Sequence, residues 1–576
     1  MKNLKEFKPL LEFIKEDKGK LILSSVFIFL SGVCEVFTGY LNGAAVEAIT
    51  KLNLEGALLF LGIYFLLGII VHNFIDVKAN SMLQKVESKI SRKLGYHTYK
   101  KALNLPAVAY EEKTSGEITN RIINDADTLS FVFGQLLHMV SSLVGSLIII
   151  IYIFINAWII GVEILIFLGI LLLILRKYNP LMKDAHKQRK DEQDKFTSLV
   201  TESIRGVREI KTLGVKNSLL NDMKVIIKGI FDKSIKEIDI RQKFRILTNM
   251  LRSTLEVGVF VSCALLLFYG KTTLTFFIAM TYYVYRFMYL IDMINDFSQT
   301  YQRLVVSLGR VNEILLNRTY KDEEFGKEKF NVKKGIIEFK DVTFGYPNEE
   351  VTLKDFNLVI EPNKKVAIVG ESGQGKSTLF NLITRIFDPS EGSILVDDVE
   401  LSKFREEDLR DSISIIRQEP FIFNRSIMDN FRLIDKSITL EEVRKYCKLS
   451  YLDDYIMSLP NAYDTILGES GVNLSGGQKQ RLSIARTLAK NSKIILFDEA
   501  TSALDNKSQS YIKASIDNLV KDHTVVIVAH RLSTIIDADV IHVVSKGKVV
   551  ASGKHEELLK TSKIYKNLYE TESLNS

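Results

Sequence analysis

Cysteine is nearly absent, with three in 576 residues. That excludes a fold held by disulfides. Cys34, Cys263 and Cys447 are dispersed and show no metal-binding spacing. Proline is scarce at 8, and with glycine at 32 a collagen is excluded. No excess of one charge stands out either. Lys and Arg number 76 against 69 Asp and Glu, a net charge of +7. So mild an excess gives no reason to expect a nucleic-acid partner. Apolar residues make up 47 % and charged residues 25 %, which excludes a low-hydrophobicity disordered chain. The mean hydropathy, +0.09, would suit a large soluble enzyme. Averages can hide two populations, and position along the chain separates them.

Between Leu129 and Leu175, 47 residues, the only formal charge is Glu163. That length suffices for two membrane crossings at about 20 residues each, with Asn156-Ala157 as a tight reversal between them. Leu21–Cys34, Val36–Val46, Ala57–Val71, Val257–Gly270 and Thr272–Tyr285 are also free of charge. Together these runs predict six crossings, at about 20–46, 56–79, 129–155, 158–176, 246–269 and 273–299. A single such run would suit a buried core helix; six of them do not. The first run lacks a small-residue cleavage site, so it is not read as a signal peptide.

Basic residues set the orientation. Lys2, Lys5, Lys8, Lys15, Lys18 and Lys20 precede the first crossing, and Arg176, Lys177, Lys183, Lys187, Arg189 and Lys190 follow the fourth. The opposite loops hold only Lys51 and Lys271. The N-terminus and everything after residue 300 are therefore expected in the cytoplasm, with the chain as a multi-pass protein of the cytoplasmic membrane. The inside connections, 80–128 and 177–245, have helical periodicity and mixed charge. They read as membrane helices continued into the cytosol, where about 25 residues reach about 37 Å at 1.5 Å per residue. The expected organisation is a transmembrane domain over 1–317, a charged linker over 318–335 and a second domain over 336–576.

The second domain carries a phosphate-binding loop. A strand at Lys365–Val369 leads into Gly370-Glu371-Ser372-Gly373-Gln374-Gly375-Lys376-Ser377-Thr378, and an apolar helix pattern follows. This is G-x-x-x-x-G-K-[ST] in its strand–loop–helix setting. Glycines let backbone N–H groups surround phosphate oxygens, and the helix N-terminus adds positive potential. Lys376 brings a point charge to the β- and γ-phosphates, and Ser377 a hydroxyl to Mg²⁺. Lys493–Glu499 reads as a buried strand ending in two carboxylates. Asp498 would hold Mg²⁺, and Glu499 would polarise the attacking water. Leu474-Ser475-Gly476-Gly477-Gln478 opens a second helix and forms a second anion-ready N-terminus. Two phosphate-facing loops in one domain suggest that one of them serves a neighbour's nucleotide.

This ordered set resembles a half-transporter of the ATP-binding cassette family, of the exporter type, and the resemblance runs nearly end to end. It implies a six-crossing α-helical transmembrane domain with long intracellular helices, followed by an α/β P-loop ATPase. ATP and Mg²⁺ are the implied cofactors. The resemblance also assigns further residues. Tyr346 matches the aromatic that stacks on adenine. Gln418 matches the loop glutamine that links Mg²⁺ to the membrane domain, and Asp505 lies in the loop that crosses the dimer interface. His530 matches the histidine contacting the γ-phosphate. Thr114–Ile118 with Arg121 and Asp125, and Glu202–Gly206, are similar to the intracellular segments that dock on the ATPase. One departure is Thr465-Ile466-Leu467-Gly468-Glu469-Ser470-Gly471, which lacks a Glu and an Arg that exporters often carry there.

The implied activity is ATP-driven export by alternating access of two chains. Each ATP would lie between Lys376 and Ser377 of one chain and Ser475–Gln478 of the other. Two identical chains are favoured; a degenerate partner, or a nucleotide-gated channel on the same architecture, is the alternative. Intramembrane polar residues mark the cargo path. Ser31, Glu35, Thr38 and Asn42 share one face of the first helix, and Tyr282, Tyr285, Arg286 and Tyr289 share one face of the sixth. They suggest a cavity for an amphipathic lipid, drug or peptide-like cargo. The competing reading is helix packing, with Glu35 and Arg286 paired locally. Arg252 and Glu256, at i and i+4, are expected to pair with each other.

Overall fold

The structure, a computed structural model, describes residue 13 and residues 15–575 apart from 113–114, 318, 321–322, 347–349, 372, 469–470, 499–505, 521 and 530–534. The chain divides into two compact units. One comprises Met1–Leu103 and Gly116–Leu316, and the other Asn104–Ser115 and Asn317–Ser576.

The first unit is helical. Four helical stretches among the described residues are long and apolar enough to cross a membrane: Lys15–Thr50, Leu54–Leu103, Ser115–Arg205 and Lys216–Phe268. The third holds two rods, because Ala157 leaves the helical region at φ −158° and ψ 78°. The expected reversal at Asn156-Ala157 is there. Leu274–Leu316 is the sixth rod. The rods run past the apolar windows, as the expected cytosolic extensions require. The second continues through Val77–Leu103, the fourth to Arg205, and the fifth begins at Lys216.

Local signals place the ends. Asn53 caps the second rod by accepting the Gly56 N–H at 3.0 Å. The fifth ends in a Schellman turn: Gly270 at φ +67° donates to Leu267 O, and Lys271 donates to Leu266 O. Glycines let the first helix approach its neighbours closely. A Cβ on Gly43 would lie 2.2 Å from Thr275 O, and one on Gly32 would lie 2.5 Å from Ser141 Oγ. Small residues at such crossings are how membrane helices gain packing without a hydrophobic drive between them.

Among its described residues the second unit holds two sheets. One is antiparallel, ordered β2-β1-β4-β5, with β1 Ile337–Gly345, β2 Val351–Ile360, β4 Glu391–Val396 and β5 Val399–Glu400. The other is ordered β10-β9-β3-β8-β7-β6, with β3 Lys365–Val369, β6 Ile413–Ile416, β7 Ile494–Asp498, β8 Thr524–Val528, β9 Val540–Ser545 and β10 Lys548–Gly553. All pairings among β6, β7, β8, β3 and β9 are parallel. β3 and β8 are buried along their whole length, as continuous apolar strands in a sheet covered on both faces should be. Ala107 and Val108 pack against the core of this unit. They lie upstream of Thr114–Ile118, whose motif resembles a docking segment.

One carboxylate ties residues 333–336 to the turn after β4. Asp397 Oδ2 accepts the N–H groups of Lys333 and Lys334 at 2.8 Å, and Oδ1 accepts those of Gly335 and Ile336 at 2.9 Å. Burial pushes the Asp397 carboxyl up, but these four donors outweigh it and hold it below the usual carboxylate range. A native value below the unfolded one gives stability above pH about 4, lost as pH falls through the native value. Asp397→Asn is expected to destabilise the ATPase unit by about 1–3 kcal/mol at pH 7, since an amide offers one acceptor oxygen to four donors. The gap between variant and parent should close as pH falls below the native value, read from thermal midpoints across pH.

Candidate nucleotide site

β3 ends at Val369 and the chain turns at once. A Cβ on Gly370 would come 2.2 Å from Val544 O, so only glycine lets the loop pass over β9. Gly373 and Gly375 take φ +79° and +87°, a region open to glycine without steric strain. Gly375 is the N-cap of the helix Lys376–Ile383. The first N–H groups of that helix have no intrahelical acceptor, which suits them to phosphate oxygens. Lys376 is buried and folds back over the loop. Its Nζ donates to Gly370 O at 2.8 Å and to Glu371 O at 2.7 Å. Gln374 Oε1 accepts the Lys546 N–H, which fastens the loop to the β9–β10 turn.

The parallel register carries the remaining chemistry to the same sheet edge. Ile368 pairs with Val528, and Val528 pairs with Asp498. The carboxyl edge of such a sheet is where ligands bind. Here Ser377 Oγ donates to Asp498 Oδ1 at 3.3 Å. Neighbouring ligands of an octahedral Mg²⁺ at 2.0–2.1 Å lie about 2.9 Å apart, so this pair fits the ion with little movement. Glu499 directly follows Asp498, but Glu499, Ser372, Asp505 and His530 lie outside the described residues.

Tyr346 is half-buried. Its ring meets Phe344 and Phe387 edge-on, with centroids 5.0 and 5.3 Å away. Its hydroxyl is 3.3 Å from Thr378 Oγ1 and accepts from Asn381 Nδ2 at 3.1 Å. The tyrosine is thus tied to the helix that follows the phosphate loop. Sequence reasoning missed Asn381, whose only signal is a polar residue within the apolar stretch Leu379–Ile383.

Ser475 is the N-cap of the helix Gly476–Lys490. It forms a capping box: its Oγ accepts the Gln478 N–H, and Gln478 Oε1 accepts the Ser475 N–H at 2.8 Å. Ser475 and Gly476 are exposed, whereas Gly477 is buried. The capping box leaves a solvent-facing helix start of fixed shape. One turn on, Gln480 Nε2 donates to the main-chain oxygen of Gln418 at 3.1 Å. Gln480 was not singled out from sequence; its position two residues past the signature was the available clue. Gln418 itself is exposed. Beyond it lies a cleft of about 620 Å³, lined by residues including Arg417, Phe421, Arg486 and Lys490. Burial holds both Arg486 and Lys490 below their usual basic range.

In the helical unit, Glu35 and Arg286 form an ion pair between the first and sixth rods. Tyr283 adds a bond from its hydroxyl to Val36 O at 2.8 Å. Tyr282 and Tyr285 are both exposed, and the side chain of Tyr289 lies outside the described residues. The expected Arg252–Glu256 pair is not formed among the described residues. Arg252 instead stands over the Tyr285 ring at 5.8 Å. An exposed i, i+4 pair contributes only about 0.3–0.5 kcal/mol, which an aromatic face can match.

Comparison with known proteins extends this picture. Residues 353–502 match the ABC transporter family, and residues 21–290 match the ABC transporter transmembrane region. A Bacillus subtilis ATP-binding/permease protein named for multidrug export, YgaD, is 30 % identical over 537 residues, covering 93 % of this chain and 92 % of the relative. The ATP-dependent lipid A-core flippase of Acinetobacter baylyi is 31 % identical over 494 residues, 84 % of each chain. A bacterial Atm1-family ABC exporter solved with ATP bound shares the fold, with a TM-score of 0.82 at 23 % identity over 97 % of this chain and 99 % of that one.

Proposed function

The chain belongs to the ATP-binding cassette transporters, a multi-pass membrane half-transporter that drives export with ATP and works with a second half, and from that premise we propose that two identical copies form the working unit. Each nucleotide lies between the loop Gly370–Thr378 of one copy and Ser475–Gln478 of the other. Ser377 and Asp498 would hold Mg²⁺, with Gln418 as a further oxygen ligand. Glu499 orients the attacking water, His530 meets the γ-phosphate, Tyr346 faces adenine and Asp505 sits at the interface between copies. The observation that carries this reading is the Ser377–Asp498 approach at 3.3 Å, which joins two residues far apart in sequence at the mouth of the phosphate loop. The ATPase units face the cytoplasm, as the basic residues before the first and after the fourth crossing direct.

The reaction then needs little covalent work from the protein. Lys376 leaves its two carbonyl partners to meet phosphate charge. The loop N–H groups hold the phosphates in line, and the capped helix start of the second copy closes the site against bulk solvent, leaving the one water that Glu499 orients. Mg²⁺, when bound, neutralises the charge that builds on the bridging oxygen.

The cargo is an amphipathic molecule, lipid, drug or peptide-like. The names of the two relatives, one for multidrug export and one for a lipid A-core flippase, agree with that class. Glu35 and Arg286 give the membrane helices a paired charge that such a cargo's polar group can exchange with. In proteoliposomes, purified protein is expected to move a fluorescent amphipathic dye and a headgroup-labelled lipid only with Mg-ATP. Glu499→Gln should reduce this transport at least tenfold. The double variant Glu35→Gln, Arg286→Gln should change which of the two probes stimulates ATPase, with basal hydrolysis within about twofold of the parent. Unchanged stimulation by both probes would remove these residues from the cargo path.

A further inference from the structure

The chain passes between the two units at three points: Leu103/Asn104, Ser115/Gly116 and Leu316/Asn317. A charge network built on two buried residues, Arg121 and Asp125, stands just inside the helical unit at the second and third of them; its partner Glu117 is exposed and Glu313 half-buried. Arg121 is 5 % exposed. Its Nη1 donates to Glu313 Oε2 at 2.7 Å and its Nη2 to Glu117 Oε1 at 2.5 Å. One turn on, Asp125, also 5 % exposed, accepts from Ser307 Oγ at 2.7 Å, and Arg310 Nη1 stands 4.0 Å away. Glu117 and Arg121 lie two and six residues past the second passage; Glu313 lies four before the third. Partners 192 and 182 residues apart in sequence are thus joined beside the two places where force can leave the unit.

The backbone at this network is irregular. Arg121–Asp125 is a π-helical turn, between the α-helices Ser115–Asn120 and Ala126–Arg205. Such turns are uncommon and often occur at functional sites. The energetics point the same way. These ion pairs add little net stability, because Arg121 is desolvated while solvent screens its exposed and half-buried partners Glu117 and Glu313. What charge supplies instead is register, since a guanidinium fork and two carboxylates match in one alignment only.

We propose that Arg121, Glu117, Glu313, Asp125 and Ser307 form a coupling staple. It locks the start of the third rod to the end of the sixth, so that the segment 104–115 and the linker after Leu316 transmit ATP-driven movement to the membrane helices as one body. These are positioning residues, and none touches nucleotide. The proposal rests on the reading that the loop Gly370–Thr378 binds ATP.

Hydrogen exchange on the full-length protein in lipid nanodiscs, with and without Mg-ATP and vanadate, tests it. In the parent, peptides covering 370–380 gain protection, and peptides covering 118–130 and 304–316 change with them. In the double variant Arg121→Met, Glu313→Met, which keeps volume and leaves no lone charge between these two positions, 370–380 should still gain protection. The response at 118–130 and 304–316 should fall at least fivefold, and cargo-probe stimulation of ATPase should be lost while basal ATPase persists. Arg121→Lys, which keeps the charge but not the fork, should give an intermediate response. If the Met pair responds like the parent at all three segments, or if 118–130 and 304–316 do not respond in the parent while 370–380 does, the staple is wrong. Failure of 370–380 to gain protection in the parent would instead refute the ATP-site reading beneath it.

Discussion

Lys376→Met lowers ATP hydrolysis by a factor of about 10²–10³, the range seen when one preorganised donor to developing charge is removed. The side chain is buried, and its ammonium group rests on Gly370 O and Glu371 O, 2.8 and 2.7 Å away. It therefore waits at the loop mouth with its charge already desolvated and aimed, and the phosphates need only replace two carbonyl oxygens. Methionine fills the same space without charge. The loop loses two hydrogen bonds, each worth about 1 kcal/mol, so a small fall in thermal midpoint should accompany the kinetic loss. The two effects separate in one experiment. The midpoint of the variant should stop rising with added Mg-ATP, whereas the parent gains RT ln(1 + [L]/Kd) of stability from the same ligand. A variant that hydrolyses within twofold of the parent would remove Lys376 from the site.

The phosphate loop was legible because its chemistry is contiguous. A strand, three glycines, a lysine and a hydroxyl within 14 residues leave one geometry open, and the observed φ values of Gly373 and Gly375 are the ones it needs. The Ser475–Gln478 capping box is equally local: an S-x-x-Q spacing before a helix is itself the structure. Six rods followed from charge-free runs, and even the Ala157 break was visible as a reversal inside a 47-residue run. Contacts made across the chain were not legible. Arg121 reads as part of a docking motif, and nothing near it announces Glu313. The partner of Arg252 was misjudged for a related reason. Spacing gave it Glu256, yet the fold offered Tyr285 from the next rod. Periodicity says which face of a helix a residue occupies; it does not say which neighbour arrives there. The segment before the third rod adds to this. Motif likeness points to Thr114–Ile118, whereas Ala107 and Val108, which pack against the ATPase core, carry no motif.

Mixing two inactive variants tests whether the site is shared between copies. Gly477 is the buried second residue of the signature helix. Gly477→Asp sets a carboxylate at a helix start meant for phosphate, where like charge and loss of N–H access both oppose binding. Assembled alone, Lys376→Met and Gly477→Asp should each hydrolyse ATP at about 1 % of the parent rate or less. In a mixed pair, one site combines both lesions, and the other joins an intact phosphate loop to an intact signature. With equal expression and random pairing in a two-fold dimer, about half the dimers are mixed and each keeps one of two sites, so about a quarter of parent activity should return. A site built within a single chain predicts no recovery at any mixing ratio, because every copy then carries its own lesion. Tagging the two variants differently and purifying through both tags should raise recovery to about half, provided the two sites act independently. A doubly purified pair that stays inactive while both variants are folded and paired overturns the reading of two shared sites that act independently.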